Sequence, residues 1–114
     1  MSSGGRVSAL VVLTTLANIE DARSLVSRLV SDRLVACGTI VGNALSVYTW
    51  QGKLENTEET LVVLKTTSDR WDDLESVVHE LHPYDVPELL ALPVVKGLPA
   101  YLRWVADQTG DHSQ

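Results

Sequence analysis

Leu61-Val62-Val63-Leu64, set in the run Glu59-Thr60-Leu61-Val62-Val63-Leu64-Lys65-Thr66-Thr67, decides how this chain folds. The β-branched, apolar composition makes the run a strand. Side chains on a strand alternate between faces, so Leu61 and Val63 point one way while Val62 and Leu64 point the other. A strand that is apolar on both faces needs cover on both. One layer of helices can cover only one.

Upstream, Gln51-Gly52 separates Leu45–Trp50 from Lys53-Leu54-Glu55 and reads as a tight hairpin turn. Val35 to Val41 is strand-like, and Gly42-Asn43 suggests a kink or bulge before Leu45. Asn18 offers an N-cap to a helix whose buried stripe is Ala22, Leu25, Val26, Leu29 and Val30. Ala9 to Leu13, ending in Thr14-Thr15, is a first buried strand.

Downstream, Ser68-Asp69 opens a second helix that buries Trp71, Leu74, Val77, Val78 and Leu81. It ends at His82, because the residue before a proline is pushed out of helical conformation. A fourth strand is expected over Glu88–Val95, with Pro93 at an edge or bulge. Gly97-Leu98-Pro99 starts a last short helix through Trp104 and Val105.

The order is β-α-β-β-α-β plus a short C-terminal helix, an α+β chain of ferredoxin-like pattern. Both helices then lie on one face of an antiparallel sheet, and the other face should be polar. Leu10–Leu13 and Leu89–Leu92 break that expectation as Leu61–Leu64 does. A neighbouring copy of the chain is the economical cover for the second face, so a homo-oligomer is expected. Residues 7–109 form the expected domain, between a flexible lead at 1–6 and a polar tail at 110–114.

At 114 residues the chain is one domain, 45% apolar and 21% charged, with a formal net charge of −6. An acidic chain without clustered Lys/Arg argues against nucleic acid and anionic membrane as partners. Cys37 is the only cysteine, which excludes an intramolecular disulfide and a CxxC pair. Met1–Arg6 lacks the apolar run of a secretory signal, so the expected address is the cytoplasm.

Catalytic signatures are missing: there is no G-x-S-x-G, no phosphate-binding G-x-x-x-x-G-K-[ST] and no G-x-G-x-x-G. Glu58-Glu59 and Asp72-Asp73 read as solvated surface, and Cys37 as a small core residue. His79 and His82 stand three apart, with Glu75 four before His79, a helical stripe able to chelate Cu²⁺ or Zn²⁺. His82-Pro83-Tyr84-Asp85-Val86-Pro87-Glu88 packs an imidazole, a phenol and carboxylates into one stiff loop. It reads equally as a ligand pocket or as a prolyl brace for the last strand. Lys65 shares a strand face with Leu61 and Val63. It either pairs with an acid such as Glu88, beside Tyr48 and Trp50, or carries its charge out to water.

Five stretches in this order resemble the divalent-cation-tolerance (CutA) family. They are Arg33-Leu34-Val35-Ala36-Cys37, Val47 through Glu55, Leu64-Lys65-Thr66-Thr67, His82 through Val94, and Tyr101-Leu102-Arg103-Trp104. The resemblance implies a ferredoxin-like subunit in a tightly packed homotrimer whose long second and third strands join neighbouring sheets. It implies a non-enzymatic role in the response to metal ions, with copper binding by some members, and a signalling or adaptor role by analogy with trimeric signalling proteins. Copper-binding members carry Cys where this chain has Thr14 and His where it has Leu81. Only His82 of that set is kept, so weak binding of a divalent metal, Cu²⁺ first, is what the resemblance implies here. The pocket residues expected between subunits are Tyr48, Trp50, Lys65, Tyr84 and Glu88.

Two other classes compete. An acylphosphatase-like enzyme would need an Arg in the loop after the first strand, where this chain has Leu16-Ala17-Asn18-Ile19. A sensor that binds metabolites between subunits would need no such residue.

Overall fold

The computed structural model describes residues 7–110. The expected lead at 1–6 and all but the first residue of the expected tail lie outside that range. Strand β1 (Ala9–Leu16) leads into α1 (Ile19–Ser31), and β2 (Cys37–Trp50) and β3 (Lys53–Thr67) follow as a long hairpin. One 3-10 turn (Ser68–Arg70) opens into α2 (Trp71–Leu81), then come β4 (Leu90–Pro93) and α3 (Pro99–Gln108). The four strands form one antiparallel sheet in the order β2-β3-β1-β4. This is the ferredoxin-like arrangement.

Local chemistry accounts for the element ends. The Asn18 Oδ1 accepts from the Asp21 backbone N–H at 2.8 Å, satisfying one of the free donors of α1. Leu98 makes no side-chain cap, but Pro99 at the first helical position has no N–H to satisfy. Gln51 and Gly52 have φ of 52° and 80°, the doubly positive pair of a two-residue type I′ turn closing Trp50 onto Lys53. Val41 faces Leu61 and Ala44 faces Glu59, so Gly42 and Asn43 together oppose Thr60. That is the expected bulge, with Asn43 left-handed at φ 62°.

The core lies between the sheet and the helix pair: Val12, Leu16, Val62 and Leu64 pack against Leu25, Leu29, Leu74 and Val78. On the opposite face Leu61, Val63 and Lys65 remain half-buried, and Leu90 and Leu92 of β4 are exposed. Helix α3 covers part of that face through Val105. Gly110 N–H donates to the Arg33 carbonyl at 3.2 Å and Arg33 Nη2 donates to the Asp107 carbonyl at 2.7 Å, tying the end of α3 to the loop after α1.

Besides β1 running on to Leu16 and β2 starting at Cys37 rather than Val35, two boundaries that shape the arm and the sheet edge differ from expectation. The fourth strand covers Leu90–Pro93 rather than Glu88–Val95, because only Leu10–Leu13 of β1 pairs with it. The third strand starts at Lys53 rather than near Glu59, because the type I′ turn aligns it with β2 from its first residue. Since β1 reaches only Thr60, residues 53–59 pair with β2 alone and form a two-stranded arm. The radius of gyration is 15.3 Å, against about 13 Å for a compact chain of this length, and the arm accounts for the excess.

Candidate functional site

The segment between α2 and β4 carries the densest polar geometry near the sheet. His82 is 6% exposed and both of its ring nitrogens are engaged. The Tyr84 backbone N–H donates to Nδ1 at 3.1 Å, so the proton sits on Nε2, which donates to the Thr15 carbonyl at 2.8 Å. The Tyr84 ring tilts over the imidazole at a centroid distance of 4.8 Å. Its hydroxyl donates to Glu59 Oε2 at 3.4 Å, and burial first, then Glu59, pushes the phenol up from its ordinary value. His82 therefore stitches the prolyl loop to the end of β1, and Tyr84 carries the stitch on to the base of the arm.

This geometry bears directly on the metal expectation. The Nδ1 lone pair is spent on Tyr84, and the Nε2 proton on Thr15, so His82 has no free lone pair to give a cation. Thr14, next to Thr15 on β1, is fully buried, and among the described residues its Oγ1 has no partner, but a neutral hydroxyl is a poor ligand for Cu²⁺ or Zn²⁺. Leu81 supplies nothing. His79 is exposed on α2 and lines a cleft of about 230 Å³ with Glu75, Asp85, Val86, Pro87 and Leu89. Among the described residues no three His, Cys, Asp or Glu side chains converge as a metal site. The residues present do not fit a resident copper centre.

The residues expected to share a pocket are spread along the molecule. Tyr48 and Tyr84 both stand near the arm. Tyr48 is hydrogen-bonded to Thr57 Oγ1 at 2.8 Å, and its field contributes to the shift of Tyr84. Trp50 lies at the arm tip opposite Lys53, whereas Lys65 pairs with Cys37 and Val11. Lys53 and Lys65 are twelve positions apart on β3, so Trp50 and Lys65 of one chain are separated by about 40 Å. Glu88 is exposed in the loop, and among the described residues Lys65 forms no ion pair with it or with any other acid. Within one chain these five side chains make no pocket.

Sequence reasoning missed the exposed apolar surface of the arm. Leu45, Val47, Trp50 and Leu54 are 66%, 59%, 63% and 77% exposed. Cross-strand pairing places Leu45, Val47 and Leu54 on one face of the arm, and Tyr48 and Trp50 on the other. The signal was available in the alternation of residues 45–50. It became readable once the register and burial showed that none of the described residues covers them.

The chain matches the family described as CutA1 divalent ion tolerance protein over residues 10–108. It is 43% identical to the divalent-cation tolerance protein CutA of Thermus thermophilus, over 88% of this chain and 97% of that protein. The Arabidopsis thaliana protein CutA, chloroplastic, is 37% identical, with 94% of this chain aligned to 59% of that longer protein. The crystal structure of CutA1 from Oryza sativa superposes with a TM-score of 0.88 at 38% identity, covering 91% of this chain and 95% of that one.

Proposed function

Because the chain belongs to the CutA1 divalent ion tolerance family, we propose that it acts as a non-catalytic homotrimer in the cellular response to divalent metal ions. The observation that carries the assembly is the arm: a two-stranded ribbon with apolar side chains on both faces, joined to a sheet whose open face also carries Leu61, Val63, Leu90 and Leu92. Apolar surface of that extent is stable in water only when another molecule covers it. The outer edge of β2 also leaves its backbone donors and acceptors free for a further strand.

Assembly would also bring together what one chain separates. An arm reaching a neighbour carries Tyr48 and Trp50 toward the other copy's Lys65, Tyr84 and Glu88, so the pocket is a property of the trimer. Signalling through a partner or small ligand at that pocket belongs to the same proposal. Copper contact, in this reading, is weak and made at the surface by His79 with Glu75 or Asp85, not by His82. The acidic composition keeps nucleic acid out of the proposal, and no described helix is long and apolar enough to cross a membrane.

Light scattering across a dilution series tests the assembly. A mass of three chains retained to nanomolar concentration is expected, because a large apolar interface binds its copies tightly. A folded monomer at micromolar concentration would overturn it. Calorimetric titration of Cu²⁺ should show weak heats that fall in His79→Ala and persist in His82→Ala.

A further inference from the structure

Between α1 and the end of α2 the surface opens into a cleft of about 400 Å³, within the range of small-molecule sites. Its floor and far wall are apolar, made by Leu16, Leu25, Leu81 and Pro83. Its near wall is a stripe of α1, Asp21, Ser24 and Arg28, spaced three and four apart so that all three face the same side. An apolar trough bordered by two opposite charges admits several ligands on shape alone. The commitments of those charges decide among them.

Arg28 is already answered. Its Nε donates to Asp32 Oδ2 at 2.7 Å, and the hydrogen bond to Asp32, then its charge and that of Glu80, hold the guanidinium more firmly charged than usual. Asp21 is not. Its carboxylate receives only a long contact from the Asn18 amide, at 3.4 Å, and among the described residues it forms no ion pair. The C-terminal end of α2 also falls at this cleft. His82 N–H donates to the Val78 carbonyl and Pro83 has no N–H to offer, so among the described residues no further backbone N–H caps the negative end of that helix. The unanswered charge of the cleft is therefore negative.

We infer that this cleft binds an organic cation with an apolar body, an alkylammonium, whose head sits at the Asp21 carboxylate and whose chain lies on Leu16, Leu25, Leu81 and Pro83. A carboxylate ligand could reach the terminal guanidinium nitrogens that Asp32 leaves free, but it would meet a cation already neutralised by Asp32 and the like charge of Asp21. A bare metal ion would find one carboxylate and no use for the apolar floor. The cleft belongs to the helix layer, on the side of the sheet away from the open face, so the inference does not depend on the trimer.

Titrating the full chain with hexylammonium chloride, and in parallel with sodium hexanoate at matched ionic strength, tests it by amide chemical-shift changes. Hexylammonium is expected to bind saturably, with shifts confined to α1 and residues 81–84. Asp21→Asn should weaken it at least tenfold, and Ser24→Leu, which fills the trough from an exposed helix position and leaves Asp21 in place, should abolish it. The inference is overturned if hexanoate binds as well as hexylammonium, if hexylammonium does not saturate, or if both variants bind it as the native chain does.

Discussion

Leu64 and Leu54 belong to the same strand and meet opposite fates. Leu64 is wholly buried between α1, α2 and the sheet, whereas Leu54 is 77% exposed near the arm tip. The body half of β3 is flanked by β1 and β2 and roofed by two helices; the arm half pairs, among the described residues, with β2 alone. One strand thus passes from a core that closes within the chain to a surface that closes only against another molecule. Apolar residues mean stability of the fold in the first half and association in the second.

Truncation should expose that division most strongly. Leu64→Ala is expected to cost about 2–5 kcal/mol in denaturant unfolding, as buried leucines generally do. Leu54→Ala, compared in a chain kept monomeric by charges placed in the arm, should cost less than about 0.5 kcal/mol, as surface changes do. Equal losses at the two positions would erase the distinction between body and arm.

Charge in the arm should give the converse result. The double variant Leu45→Glu, Val47→Glu is expected to lower the scattering mass to that of one chain while far-ultraviolet dichroism keeps its helical signal. The few central residues that dominate an interface are each worth about 2 kcal/mol or more. An unchanged mass would show that the arm's apolar face is not where copies meet.

The junction between the halves should respond less. His82→Ala leaves the Thr15 carbonyl and the Tyr84 N–H without their partners, which costs about 1–3 kcal/mol whether or not metal is present. Chelator-sensitive stability of the native protein, lost in that variant, would make His82 a ligand and not a brace.

The smallest effect belongs to Tyr84. Its phenol is raised in the fold, by burial and then Glu59, so the folded chain holds the proton longer than the unfolded one. The sign follows from linkage: the contribution is fully present below about pH 10, the value for a free tyrosine, and is lost as pH rises through the folded value. Native protein should lose stability above about pH 10 more steeply than Tyr84→Phe. Parallel curves would remove Tyr84 from the junction.

Much of the body was legible in the residues themselves. The Asn18 cap, the apolar stripe of α1 from Ala22 to Leu29 (Val30, expected with it, is exposed), the Gly42-Asn43 bulge, the Gln51-Gly52 turn and the end of α2 before Pro83 are each dictated within a few residues by hydrogen-bonding capacity, periodicity or allowed φ. The family resemblance was legible too, because its five stretches lie in order along the chain. What stayed hidden was which partner each side chain would meet. His82 has the same imidazole whether it ligates copper or braces a loop. In the fold it meets the Thr15 carbonyl, 67 positions away, and the Tyr84 N–H, and the first of these cannot be read from its neighbours in the sequence. Local sequence determined the elements, since their causes are local. Tertiary structure decided that β1 stops at Thr60 of β3, that the arm therefore stands alone, and that Trp50 and Lys65 lie at opposite ends, because register and burial are set by contacts between residues far apart in the chain.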